Sequence, residues 1–460
     1  MRSITSSFVV TSLSIFIQLG QGHSHQPTLT ADICLQPLIN HHHVEVLSGI
    51  CPAPLPPPSS SSSPSWRKGN ATAQKKAIPP KLLNEPNDTE DGNLFKSPDE
   101  LDEYQLPSSW QGPEHCIQGD KCMFWNQKVG DGIVVISTPR NAHLAANFPI
   151  PPGTEIVEAS SFYEKQLPGK GMGLIANRTI RKGEIIMQRT PSLLIQAKAH
   201  VYLDREVREK LYEAALGRLP EPTRRKFLRQ YGDTAYMKVD KNAFRLEVDG
   251  REPLSEHFAV FPDVSRMNHD CRPNIHYRIT NLTHTTVAVR DIHPGEELTV
   301  SYIYGRLVRS KRQTRLSDSW GFDCTCSQCT LPELESMASD ARVREISRLE
   351  KEIEDKMARN GGREVKPEMA GRLVKLYLDE RLEAYMAPTY TRAALIYSMF
   401  GDEEKATEYA REAVAALERE YGSHATDADS MRELLADVRG HWSWAIKVQP
   451  RGGGGRNNEK

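Results

Sequence analysis

Three cysteines fall within a short run, Cys324-Thr-Cys326-Ser-Gln-Cys329. Spacing this tight is typical of thiolates on one metal ion, and a tetrahedral Zn2+ needs four donors. The remaining donor must come from elsewhere in the chain. Such a site ties distant segments together and constrains whatever folds between them. A disulfide with two free thiols is the competing reading. Of the other cysteines, Cys34, Cys51, Cys116 and Cys122 precede the densely patterned region, and Cys271 lies inside it. An even number in each group also permits disulfides in a secreted chain, so the two halves point to different compartments.

At 460 residues the chain has room for roughly two to three domains. The formal net charge is -1, so no bulk positive field argues for direct nucleic-acid binding. A mean hydropathy of -0.54 excludes a polytopic membrane protein. One membrane-like stretch stands at the start, where Arg2 precedes an apolar, acid-free run over 8–19 and then Gly20 and Gly22. Residues 1–22 read as a signal peptide or a short signal anchor, with a disordered tail or a misplaced start codon as alternatives. The run falls short of the about 20 apolar residues of a spanning helix, so no stable transmembrane span is expected.

Residues 23–109 are Pro- and Ser-rich, without sustained periodicity, and read as a disordered linker. His41-His42-His43 within it reads as a solvated run. Asn70, Asn87, Asn177 and Asn281 each open an Asn-x-Thr triplet, a glycan acceptor only in a secreted chain. Residues 110–159 form a small ordered segment with a strand over 133–136. There Cys116 and Cys122 flank Gly119-Asp120, which fits a disulfide loop, a metal site or two reduced thiols. Over 160–304 short strands alternate with Gly, Pro and Asn turns, including a hairpin about Asn281. A helical insert near 200–235 interrupts them, with Val207, Leu211, Ala214 and Ala215 on one face. Residues 332–448 read as helical. The clearest helix, over 402–421, places Ala406, Tyr409, Ala410, Ala413, Val414 and Leu417 on one face, with helical neighbours over 366–400 and 427–446. Ala394, Tyr397 and Gly401 leading into Ala406 and Ala413 resemble a tetratricopeptide-type helix pair, either a cap on the β-rich part or a peptide groove. Residues 449–460 read as a flexible tail.

Four elements then stand in order. Gly169-Lys-Gly-Met-Gly173-Leu174 opens a strand; no long crossover helix follows, so it is not the dinucleotide motif. Arg266-Met-Asn268-His269-Asp270-Cys271-Arg-Pro273-Asn274 comes second, and Gly295-Glu296-Glu297-Leu298-Thr-Val-Ser301-Tyr302 third. Trp320-Gly-Phe322 leading into the cysteine cluster is last. Each alone reads as a turn, a strand or core packing. In this order, over 160–331, they resemble the SET-domain signature with its post-SET cysteines. The split by a helical insert, with helices after the cysteines, is similar to the SMYD-type branch and its fungal relatives. The Cys/His-rich MYND finger is absent, since the insert holds no cysteine.

The resemblance implies an α+β chain. Its SET fold would thread the Asn-His segment, pseudoknot-like, under a loop around the final strand, followed by a post-SET zinc segment over 305–331 and an all-helical, TPR-like C-terminal region. It implies S-adenosyl-L-methionine-dependent methyl transfer to lysines of a protein substrate, histone or non-histone. The rival is an inert SET-fold module that binds peptides through the C-terminal helices. Gly171, Met172, Gly173, Asn268 and His269 would contact the methyl donor, as would Phe322 and, in the SMYD branch, Asn242. Tyr302 would be catalytic, beside the donor, with Trp320 and Phe322 walling the lysine channel. Cys271 would complete a Zn2+ site with Cys324, Cys326 and Cys329. Asp270 stands where many relatives carry Ser, which changes the polarity there. The basic stretch over 306–315 reads as a solvated helix face that steers an acidic partner. The chemistry suits nucleus or cytoplasm, whereas the first residues suit the secretory pathway.

Overall fold

The computed structural model describes residues 104–117, 120–150, 161–248, 256–358, 364–423 and 425–448. The signal-like segment, most of the linker with Cys34 and Cys51, and the glycine-rich tail lie outside them. Strands β1 (Gln111–Ile117), β2 (Lys121–Asn126) and β3 (Ile133–Ser137) lead into helix α1 (Pro139–Asn147). A Cys116–Cys122 disulfide closes the β1–β2 hairpin, so this pair is neither a metal site nor reduced. Strands β4 (Phe162–Leu167), β5 (Gly171–Ala176), β6 (Ile185–Arg189) and β7 (Leu193–Gln196) follow. The insert is helices α2 (Ala197–Tyr202), α3 (Arg205–Arg218), α4 (Glu221–Leu228) and α5 (Ala235–Asn242). It runs past 235 because Thr234 starts a further helix, its hydroxyl accepting from Met237 N at 3.2 Å. Strands β8 (Ala243–Glu247), β9 (Glu256–Val260), β10 (Asn268–His269), β11 (Ile275–Thr280), β12 (Thr283–Ala288) and β13 (Glu297–Val300) complete the β-rich part.

Period-2 alternation sorts the largest sheet, ordered β1-β2-β3-β7-β9-β8, between two cores. Met123, Trp125, Val134, Ile136, Leu193 and Ile195 face the insert and meet Leu211, Tyr212, Ala215 and Phe227. Their neighbours Phe124, Ile133, Val135 and Leu194 face the rest of the β-rich part. Val207, expected on the insert's inner face, is exposed instead. β3 and β7 are buried at every residue and pair in parallel, which suits their unbroken apolar runs. Strands β1, β2 and β3 are therefore part of this sheet, and packing begins before Trp110, with Asn126 Nδ2 donating to Ser109 Oγ. The smaller sheets are ordered β10-β13-β5-β4 and β11-β12-β6. β10 lies parallel to β13, Asn268 opposite Thr299 and His269 opposite Val300, which is the threading the motif order implies. Asn274 locks it, donating to Glu297 O at 2.8 Å and accepting from Thr299 N at 2.9 Å.

The helical half comprises α6 (Arg309–Trp320), α7 (Glu333–Ala358), α8 (Pro367–Asp379), α9 (Ala387–Met399), α10 (Glu403–Tyr421) and α11 (Thr426–Ala436). Ala406, Ala410, Ala413 and Leu417 are buried on α10, as their spacing predicts. The helical stretch over 366–400 is two helices: the chain leaves α8 at Glu380, and Arg381 takes a left-handed φ of 54°. The last helix stops at Ala436, and turns replace the expected helix to 446. Arg312 corrects the reading of 306–315 as a solvated face. It shares the buried stripe of α6 with Leu316 and Trp320 and donates to Leu307 O at 2.6 Å.

One fully buried ion pair fastens the halves together. Arg272 Nη2 donates to Glu380 Oε2 at 2.8 Å, with both side chains 0% exposed. Arg272 also donates to Glu380 O, Cys271 O and Gly305 O. The carboxylate accepts further from Arg342 Nε at 2.6 Å and Ser339 Oγ at 2.9 Å. A second fastening runs from β11 to the end of α10, where Arg278 donates to Arg419 O and His276 Nε2 lies 3.1 Å from Glu420 O.

Removing one partner of a buried pair strands the other's charge. Arg272→Met is therefore expected to cost about 3–5 kcal/mol in urea denaturation. Adding Glu380→Gln to it should cost less than the sum of the single losses; strict additivity would show that the pair is not coupled.

His284 supplies a pH dependence. Its ring is enclosed by Phe244, Phe261 and Tyr277 at centroid distances of 4.7, 5.0 and 4.9 Å, and burial pushes its pKa from 6.5 down to about 3. The unfolded chain thus binds a proton that the folded chain refuses. Stability from this residue is complete above pH 6.5 and is lost as pH falls from there towards 3. Comparing wild type with His284→Phe, the variant's stability should fall less steeply across that window, by up to about 1.4 kcal/mol per pH unit. Parallel pH profiles would refute this.

Candidate active site

The glycine-rich turn between β4 and β5 has two parts. Gly169 and Gly171 adopt φ of +72° and +75°, a region that L side chains rarely enter, and open space surrounds them. Gly173 is buried, and a Cβ there would stand 2.5 Å from Leu167 Cδ1 and 2.9 Å from Asn268 Nδ2. Its bare backbone lets β10 close in. Asn268 Nδ2 donates to Met172 O at 3.2 Å and to Glu297 Oε1 at 2.8 Å, and Lys170 Nζ reaches Glu297 Oε2 at 2.7 Å. Glu297 thereby pins the turn to the threaded segment.

His269 is the junction. Its Nδ1 accepts from Tyr302 N at 3.0 Å, which leaves the proton on Nε2, 3.3 Å from Cys271 Sγ. Burial pushes its pKa down to about 3, so the ring is neutral. One imidazole thus connects the cysteine cluster to the backbone of Tyr302. The Tyr302 hydroxyl donates to Met267 O at 2.7 Å, and burial holds the phenol well above its usual pKa. Trp320 lies 5.3 Å from the Tyr302 ring, and Phe322 6.3 Å from the ring of His269. Gly321, at φ 74°, ends α6 between these two aromatics and turns the chain towards the cysteines.

Cys271, Cys324, Cys326 and Cys329 converge, all buried and none in a disulfide, with their Sγ atoms within 4.8 Å of one another. Tetrahedral thiolates at Zn–S near 2.3 Å stand ~3.8 Å apart, so this donor set is compatible with zinc. Arg312 Nη2 lies 3.8 Å from Cys329 Sγ, and its charge favours thiolate there.

Nearly all residues marked by the motifs therefore meet in one place: Gly171, Met172, Gly173, Asn268, His269, Tyr302, Trp320, Phe322 and the four cysteines. Asn242 approaches them from the insert, one residue after Lys241, whose carbonyl accepts from Trp320 Nε1. Its Nδ2 is committed to Tyr231 O and Lys238 O, both at 2.8 Å, within the insert. Sequence reasoning missed Arg312, Glu297, Arg272 and Lys241. For Arg312 a signal existed, since it falls on the apolar stripe of its own helix; Glu297 and Arg272 stood inside the motifs without a role, and Lys241 carried no signal.

The family model for the SET domain matches residues 171–303. The chain is 31% identical over 214 residues to N-lysine methyltransferase SMYD2-B of Danio rerio, covering 44% of this chain and 48% of that one. It is likewise 31% identical over 188 residues to the SMYD2 N-lysine methyltransferases of Bos taurus and Homo sapiens, covering 39% of this chain and 43% of theirs. The chain thus spans about half the length of the curated relatives it matches. β10, β13 and Tyr302 all lie inside the matched segment, so residues 171–303 carry a SET domain, in a chain similar to SMYD2 N-lysine methyltransferases over that part.

Proposed function

We propose that the chain is a protein-lysine N-methyltransferase that draws its methyl group from S-adenosyl-L-methionine and acts on lysines of histone or non-histone proteins. The observation that carries this reading is the Tyr302 hydroxyl, oriented by Met267 O at 2.7 Å and walled by Trp320 and His269. Similarity to N-lysine methyltransferases over the same segment supports it.

Bound S-adenosyl-L-methionine supplies an electrophilic methyl group on a sulfonium. The residues fit such a guest. Gly169 and Gly171 leave open space at the turn, and Gly173 admits Asn268 against its backbone. Gly171, Met172, Gly173, Asn268 and His269 would hold the donor, flanked by Phe322 and, from the insert, Asn242. An incoming lysine must be neutral to act as nucleophile, and its ordinary pKa is about 10.4. The dry walls of Trp320 and Phe322 favour the uncharged amine. Tyr302 stays protonated, so it donates to Met267 O and offers its oxygen to the amine N–H. That fixes the direction of the nitrogen lone pair, and orientation of this kind supplies part of the roughly 7–11 kcal/mol available from proximity. Zn2+ on Cys271, Cys324, Cys326 and Cys329 would be structural, since protein fills all four positions. It would hold Phe322 beside His269.

Two measurements test this. Transfer of labelled methyl from S-adenosyl-L-methionine to proteins of a cell extract should fall on the order of 10²-fold in Tyr302→Phe. Binding of the donor, followed by calorimetry, should change little. Equal labelling by both proteins would remove Tyr302 from the chemistry, and no labelling by wild type with donor bound would overturn the reading. Independently, protein purified under reducing conditions should carry zinc. Chelation should lower its melting temperature and abolish transfer, with Cys329→Ser behaving as the chelated protein. Metal-free protein that remains stable and active would exclude the zinc site.

A further inference from the structure

We propose that Lys241 is a positioning residue that holds Trp320 against Tyr302 and thereby sets how bulky an amine the lysine channel admits. The inference rests on the methyltransferase reading of that channel and adds a determinant of its product. It starts from the end of α6, the helix that delivers Trp320. A helix leaves its last carbonyls without intrahelical partners, and a cation is favoured there. Lys241, from the insert, meets this need twice. Its Nζ donates to Ser319 O at 2.7 Å, and its own carbonyl accepts from Trp320 Nε1 at 3.2 Å. Side chain and backbone of one residue thus grip two successive residues at the end of α6.

The grip is anchored from behind. Asp240 Oδ2 lies 2.9 Å from Lys241 Nζ, and Asp240 Oδ1 lies 4.0 Å from Nε2 of the buried His200. His200 Nδ1 is 2.6 Å from the Tyr212 hydroxyl, and its ring stacks on Tyr236 at 4.6 Å. The ammonium therefore has one well-packed carboxylate on one side and one carbonyl of α6 on the other, which leaves it little freedom. Tyr302, on which Trp320 packs, is held in turn by Met267 O and by the neighbouring imidazole. The two rings are in contact, 5.3 Å between centroids, so with both held the face they present together has a fixed position. A methylated amine is wider than a primary one and must still rotate its lone pair into line. A wall held in place discriminates between them; a wall free to tilt does so less.

The test uses full-length protein as wild type, Lys241→Met and Lys241→Arg. The first readout needs no activity: acrylamide quenching of tryptophan fluorescence, with the Trp320 contribution identified from Trp320→Phe. Quenching at Trp320 should rise in Lys241→Met and return towards wild type in Lys241→Arg. The second compares labelled methyl entering an untreated extract with that entering an extract whose lysines have been reductively dimethylated. The ratio of dimethylated to untreated incorporation should rise in Lys241→Met by roughly tenfold, the scale on which one methylene is discriminated in a tight pocket. The arginine variant should restore it. Unchanged quenching would overturn the grip, and raised quenching with an unchanged ratio would overturn its control of the channel. Absence of any transfer by wild type would instead overturn the methyltransferase reading, and the quenching comparison would still decide whether Lys241 holds Trp320.

Discussion

Arg272 and Glu380 meet where water is excluded from both side chains, and the chain folds as one body around that meeting. Bringing two charges out of water costs several kcal/mol per ion, which Coulombic attraction repays only when the remaining polar atoms are also satisfied. Here they are. The guanidinium reaches two backbone carbonyls besides the residue it pairs with, and the carboxylate gathers a second arginine and a serine hydroxyl. Those partners come from the threaded segment, the loop after β13, the long helix α7 and the end of α8. No two of these segments can separate without uncovering a charge.

The residue next to Arg272 is Cys271, so the fastening of the halves and the cysteine cluster share one short stretch of backbone. From Cys271 the order passes through the His269 imidazole to Tyr302 N, and from Cys329 it passes to Arg312 within α6. The cluster therefore anchors both aromatics: Tyr302 through the imidazole, and Trp320 through the helix that also carries Arg312. An ion at the cluster acts on the site mechanically, by deciding whether these segments have a common anchor.

The sequence made the α+β class legible because its signals were local. Apolar runs of strand length, glycine turns, the Asn281 hairpin and the alanine stripe of α10 each fix a short element without help from distant residues. The Asn-His segment, the β13 tyrosine and the cysteines were legible as a set through their order, and the structure gathers them into one place. What stayed hidden was what distant pairing decides. Glu380 resembles any other charge at a helix end until Arg272 is placed opposite it. The basic run over 306–315 resembles a solvated face, although Arg312 shares a stripe with Leu316 and Trp320. Helix α5 was missed because its eight residues carry a weak apolar pattern and owe their start to a threonine cap. The disulfide of the β1–β2 hairpin was one of three readings of two cysteines, and strand pairing selects among them.

The two-sided packing of the largest sheet explains why the insert matters to a site it scarcely borders. Because successive residues of β2, β3, β7 and β9 point to opposite faces, the insert packs its apolar side chains on the outer face, and Tyr302, Trp320 and Phe322 belong to the inner core. The chain leaving the last insert helix ties the insert to Trp320, while Lys226 with Asp263, Gln230 with Ser265 and Arg229 with Glu164 tie it to the inner layer. That chain passes the channel wall at Lys241 and immediately enters β8, whose Phe244 belongs to the inner core. The position of Trp320 is thus fixed in part where the outer layer crosses to the inner. A substitution in the insert therefore reaches Trp320 most directly through this crossing.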